Sequence, residues 1–263
     1  MEPKIFKPFG SSGPTVILFP RPFNGSMNRL QGNHLSDLGL YSFLNQLSKQ
    51  YRFKKLLAPS PLEFNARVCS IADLGMHIQN GAASLIIHRG FNADGAVVGR
   101  GMAFAVATAD CRTILLYCKL SGALIVAHAG VRSLVDTSHV LEGKTKRDYS
   151  SIVDALCARS KSCGFYDPVA VSVCGARKLE QRDLAPFLQS RYPSTEDPST
   201  EVMEGNYLNL PLLISRQFGE HGVGVEHDWT DTIHDRNSNG EFMWHSYRRD
   251  RKSGRNLVLV VNK

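Results

Sequence analysis

Between residues 102 and 128 three apolar runs, FAVAT, TILLYC and ALIVAH, follow one another with only short breaks, the second being the turn KLSG at 119–122. Each run is rich in β-branched residues and reads as a strand. Runs of the same kind stand at TVILF, SLIIH, VAVSVC and LVLVV. Helical spacing is found in LGLYSFLNQLSKQY, in SSIVDALCARSK with serines to cap its first turn, in EQRDLAPFLQSR, and in LPLLISRQFGEHG, which ends on Gly222. Strands and helices do not alternate strictly, and no Gly-x-Gly-x-x-Gly loop follows a strand, so a doubly wound parallel sheet is disfavoured. The expected class is α+β, a mixed or antiparallel β core flanked by helices, with residues 1–263 forming one domain.

A chain of 263 residues that is 43% hydrophobic can bury a full core. Lys and Arg outnumber Asp and Glu by 31 to 24, a formal +7, which suits an anionic ligand as well as solubility. The basic residues are scattered apart from SYRRDRKSGR near the end, and no nucleic-acid signature accompanies them, so neither nucleic acid nor a membrane is an expected partner. No run is apolar and long enough for a signal peptide or a span, and the expected location is the cytoplasm. Six cysteines without a close CxxC pair fit reduced thiols, so no disulfide is expected and the sequon at Asn24 reads as a turn. The segment RYPSTEDPSTE reads as an exposed loop.

The KLSG turn pairs position 111 with a position at or close to 128, because hairpin partners keep a constant index sum. Cys111 and His128 are thereby brought together at the open end of a hairpin. Each alone is more often a packing residue, but Asp110 before the Cys and AGVR after the His are polar or small where two apolar strands end, as around an accessible site. A thiolate and an imidazole are good zinc ligands, and two alone bind weakly. On local sequence His77 and His88 are both candidates for a third.

The segments TADC at 108–111, HAGVR at 128–132 and SYRRDRKSGR at 246–255 resemble, in order, motifs of the laccase-domain or polyphenol oxidase-like (YfiH-type) family; NADGAV at 92–97 and PRPFNGS at 20–26 correspond more weakly. That family is understood as zinc-containing purine nucleoside phosphorylases with additional adenosine deaminase activity, and its fold is shared with the cytotoxic necrotizing factor toxins. The resemblance implies zinc held by His77, Cys111 and His128, with His77 preferred by its distance from Asp94 and His88 as fallback. It implies purine nucleoside and phosphate as ligands, with Arg21, Arg132, Arg248 and Arg249 as anion candidates and Tyr247 stacking on a base or filling the core. Asp94 and Asp110 orient the metal ligands or cap turns, and Arg251 and Lys252 belong to a solvated basic face. Monomer and homodimer are equally compatible with these residues.

The chain departs from the family at Val131, where a Trp is usual, at Ser133, in the added segment 136–149, in SVCGARKLEQ and in DTIHD. These departures bear on substrate identity. Two further readings fit the same residues: a metal-free cysteine hydrolase or deamidase with Cys111 as nucleophile and His128 as base, and a nucleoside-binding protein without catalysis. A multicopper oxidase centre needs His-x-His pairs, and none of the nine histidines is so arranged.

Overall fold

The computed structural model describes residues 2–20, 38–59, 66–74, 78–80, 85–89, 91–135, 150–193, 201–251 and 254–263. Two large mixed sheets lie face to face. The first has the strand order β1 (Lys4–Phe6), β2 (Thr15–Phe19), β16 (Asn256–Asn262), β8 (Met102–Thr108), β3 (Lys55–Ala58), β6 (Ile86–Arg89) and β5 (Ile78–Asn80). The second has the order β15 (Val225–His227), β11 (Val169–Val173), β9 (Arg112–Cys118), β10 (Ala123–Ala129), β7 (Gly95–Val98) and β4 (Val68–Cys69). A small third sheet joins β12 (Lys178–Glu180), β14 (Tyr207–Asn209) and β13 (Met203–Glu204).

The uninterrupted apolar runs have a plain cause. Successive side chains of a strand point to opposite faces, and both faces of the central strands are buried. From β8, Phe104 and Val106 pack between the sheets, while Ala103, Ala105 and Ala107 pack under α1 (Leu38–Tyr51) beside Leu40, Leu44 and Leu47. From β9, Leu115 and Tyr117 face the first sheet, while Ile114 and Leu116 face the helices on the far side. Those are α3 (Ile152–Ser162) and α5 (Leu210–Gly219), with α4 (Ala185–Arg191) beside them. Helix, sheet, sheet and helix therefore form successive layers, an α+β architecture.

Helix boundaries follow local chemistry. Ser151 and Asp154 form a reciprocal capping box at the start of α3, and the Asn209 side chain accepts from Leu212 N at the start of α5. The stretch after Glu180 is a 3-10 turn at Arg182–Leu184 running into α4, so the helix expected there begins later than its spacing suggests. Two short helices complete the described set: α2 (Val131–Leu134) and α6 (Tyr247–Asp250). Among the described residues no helix is long and apolar enough to cross a membrane.

Candidate functional site

The chain leaves the first sheet at Thr108 and enters the second at Arg112, so Ala109, Asp110 and Cys111 form the crossover between the two layers. The hairpin is centred on the KLSG turn: Cys118 pairs with Ala123 and His128 with Thr113, so position 111 lies two residues beyond the partner of His128. Cys111 nonetheless meets His128. It precedes Thr113 by two positions, and its side chain is hydrogen-bonded to the imidazole. The Thr108 hydroxyl donates to Cys111 O at 2.6 Å and fixes the bend. Cys111 is partly exposed, whereas His128 is 3% exposed.

On the other side of the imidazole, Asp94 Oδ1 lies 3.4 Å from His128 Nδ1, and Asp94 Oδ2 accepts from Ala66 N at 2.8 Å. Asp94 is fully buried. Its neighbour Gly95 explains how β7 comes so near to β10: a Cβ there would stand 2.7 Å from Ala127 Cβ and 2.8 Å from Val126 O. Burial opposes a charged His128, but the sulfur of Cys111 and the carboxylate of Asp94 outweigh it and lift the imidazole pKa to about 10. Asp94 faces the Nδ1 side of the imidazole at ion-pair distance, without hydrogen-bond geometry.

Asp110 has a different task. Its Oδ1 accepts from the Thr232 hydroxyl at 3.1 Å and its Oδ2 from Arg248 N at 2.8 Å, so it pins the 230s segment and α6 to the crossover. The Ser246 hydroxyl caps α6 by accepting from Arg249 N. Between α6 and the small third sheet opens a cleft of about 410 Å³, lined in part by Lys178, Glu204, Tyr207, His234, Arg248 and Arg251.

Comparison with known proteins gives this arrangement its relatives. Residues 76–263 match the family described as multi-copper polyphenol oxidoreductase laccase. The chain belongs to that family. Among solved structures it is similar to YlmD from Geobacillus stearothermophilus, at TM-score 0.67 and 20% identity over 96% of this chain and 93% of that one. It is similar too to the hypothetical protein YfiH of Bacillus licheniformis, at TM-score 0.58 and 16% identity over 95% and 93% of the two chains. A third is NMB0706 of Neisseria meningitidis, a DUF152 protein, at TM-score 0.60 and 18% identity over the whole of both chains. At these identities the likeness is one of fold, the YfiH-type fold that the motifs suggested. A search of curated proteins finds no match.

The laccase-family chain distributes its sequence-predicted residues unevenly. Cys111 and His128 converge, and Asp94 backs His128. His77 and Arg21 lie outside the described residues. His88 is buried in β6, level with Leu57 of β3, which is itself level with Phe104 of β8; that leaves four residues, about 13 Å of strand, to the end of β8 before the crossover to Cys111 begins. Its pKa is lowered by burial and then by Lys55, and the described registers do not bring it to the pair. Arg132 is exposed on the first turn of α2, four residues after His128.

Tyr247 is half exposed rather than core, and SYRR is a helical turn rather than a strand. Arg249 is a structural strut: its guanidinium donates to the carbonyls of Thr232, Ile233 and Trp244, pairs with Asp250 and lies 3.6 Å over the Phe242 ring. Its donors are engaged by the fold. Arg251 is exposed, as expected of a solvated basic face, and also lines the cleft with Arg248. Sequence reading passed over Arg112, which is fully buried beside Cys111. Its guanidinium donates to the Ser172 hydroxyl and to the carbonyls of Ser172 and Asp228, locking β9 to β11 and β15. Burial, only partly offset by Cys174 and Asp228, lowers its pKa to about 10.

The donor chemistry suits zinc in two of three positions. A thiol and an imidazole whose Nδ1 is faced by a buried carboxylate form the pattern in which histidine ligands are oriented at metal sites. Among the described residues no group of three His, Cys, Asp or Glu side chains stands close enough to hold an ion, and the third ligand named by the resemblance, His77, is not among those residues.

Proposed function

We propose that the chain is a purine nucleoside phosphorylase, cleaving adenosine, inosine or methylthioadenosine with phosphate to base and pentose 1-phosphate, and that the same site deaminates adenosine. The observation that carries this reading is the convergence of Cys111 and His128 at the sheet crossover, with Asp94 behind the imidazole, in a chain of this family. Zinc is the proposed cofactor, with His77, Cys111 and His128 as its ligands; when bound it supplies a Lewis acid that polarises a substrate oxygen or water. Asp94, 3.4 Å from Nδ1 of His128, favours a proton on that nitrogen and biases the ring toward one orientation. Arg248, and Arg132 beside the pair, provide permanently charged guanidinium forks for phosphate. The location proposed for this activity is the cytoplasm.

A second reading is favoured by the direct thiol–imidazole contact. Cys111 would attack an acyl carbon as thiolate, His128 would carry the thiol proton to the leaving group, and Asp94 would orient the ring, as in a cysteine hydrolase. Elemental analysis of the purified chain, followed by incubation with adenosine, inosine and methylthioadenosine with and without phosphate, separates the readings. Zinc near one per chain and base release only with phosphate support the phosphorylase. Inosine formed from adenosine without phosphate identifies the deaminase. Full activity of metal-free protein on an amide or ester points to the hydrolase, and nucleoside binding without turnover to a protein that kept only the pocket.

A further inference from the structure

The cleft between α6 and the small third sheet holds an unspent pair of charges. Lys178 pairs with Glu204, Arg182 with Glu180, and His234 Nδ1 lies 2.9 Å from Asp231 Oδ2, so the acidic groups around the cleft already have partners. Arg248 and Arg251 both line it, and neither guanidinium has a hydrogen bond or ion pair among the described residues. They stand three residues apart across one helical turn, a spacing at which like charges repel. Arg251 closes α6 in the left-handed region at φ 51°, its N–H donating to Tyr247 O at 2.9 Å. A non-glycine residue held there is strained, and such strain concentrates at ligand sites.

The rest of the cleft is not shaped for a bare ion. At about 410 Å³ it falls in the range of small-molecule sites, roughly 300–1,000 Å³. Tyr207, 52% exposed, and Leu179 and Ile233 line the same cleft and offer apolar surface for a flat ring. Two free guanidinium groups match the charge of a phosphomonoester, about −1.5 to −2 near neutrality. We infer that this cleft binds a nucleoside monophosphate, its phosphate between Arg248 and Arg251 and its base against Tyr207. Arg248, which the proposed phosphorolysis also uses for phosphate, and Asp110, which precedes Cys111 and anchors the N–H of Arg248, connect this cleft to the thiol–imidazole pair.

Titration calorimetry with adenosine 5′-monophosphate, adenosine and inorganic phosphate tests the inference on the full chain, on Arg248→Gln and Arg251→Asn, on Arg216→Gln as a distant control, and on Cys111→Ser. Asparagine is chosen at 251 because it tolerates the left-handed region. The monophosphate is expected to bind at least ten-fold more tightly than adenosine or phosphate, and each cleft variant to weaken it at least ten-fold. The control and Cys111→Ser should bind as wild type does, so a failed phosphorylase reading would leave this result intact. Phosphate binding as tightly as the monophosphate would reduce the cleft to an inorganic anion site and overturn the inference while leaving phosphorolysis open. Equal binding of adenosine and the monophosphate, or indifference to both cleft substitutions, would overturn it as well.

Discussion

Replacing Asp94 by alanine removes two interactions from a fully buried position: the 2.8 Å hydrogen bond from Ala66 N and the 3.4 Å contact with His128 Nδ1. A hydrogen bond to a buried charge contributes about 1.5–3 kcal/mol, and leaving one member of a buried pair without its partner costs about 3–5 kcal/mol. The two do not add, because Cys111 still faces His128 and the carboxylate's own desolvation cost disappears with it. A net loss of about 3 kcal/mol is expected, which for a chain of this size lowers Tm by roughly 6–12 °C at about 2–4 °C per kcal/mol. Asp94→Asn keeps an acceptor for only one of the two groups and turns its amide NH2 toward the other, so it should lose about 1–2 kcal/mol, less than the alanine variant. Metal affinity should fall roughly 10–100-fold in the alanine variant, the usual consequence of deleting the carboxylate behind a histidine ligand. Calorimetric melting and competition with a zinc chelator measure the two effects. An Asp94→Ala protein melting within about 2 °C of wild type, with unchanged metal affinity, would falsify the role given to Asp94.

Gly95→Ala should destabilise by about 1–3 kcal/mol in denaturant titrations, because the new methyl meets Ala127 and Val126 O inside van der Waals contact; a neutral result would mean β7 and β10 can separate freely. Arg249→Lys should cost about 2–4 kcal/mol through its lost carbonyl bonds, while Arg248→Lys leaves Tm unchanged and raises the KM for phosphate; the reverse pattern would exchange their roles. His227 is held neutral by burial and then by the charge of Arg112, its pKa lowered to about 4 from 6.5. The unfolded chain therefore takes up a proton that the folded chain refuses between those values, so stability is full above pH 6.5 and falls as pH drops toward 4. After allowance for its partial exposure the loss is about 2 kcal/mol, and His227→Gln should flatten the stability profile over that window; an unchanged slope would show that other groups dominate it.

Much of this molecule is written in local patterns. LGLYSFLNQLSKQY spans α1 end to end, and the β-branched runs are strands because their residues pack on both faces of two stacked sheets. Local pattern does not say which sheet a strand joins: FAVAT and TILLYC are neighbours in sequence yet lie in different layers. The Cys111–His128 encounter was legible to within two residues, since the KLSG turn fixes the index sum and Cys111 lies just beyond the last paired residues. The helical turn at SYRR was not legible, because its conformation is set by Ser246 and by Asp110, the latter 138 residues from Arg248. The same distance hid the employment of Arg249, whose carbonyl acceptors lie in a segment that carries no recognisable pattern. Arg112 could have been noticed, since a charge inside an apolar strand demands buried partners. The place of Arg251 on the cleft could not, because the third sheet that forms the rest of its lining is remote in sequence.

The most direct measurement is phosphorus NMR of wild type and Cys111→Ser incubated with inosine and inorganic phosphate. The expected result is a growing ribose 1-phosphate resonance with the wild type, and none above background with Cys111→Ser, which should remain folded but carry little zinc. Ribose 1-phosphate formed at the wild-type rate by Cys111→Ser, or free ribose released by the wild type at the same rate without phosphate, would contradict a phosphorylase centred on Cys111 and His128.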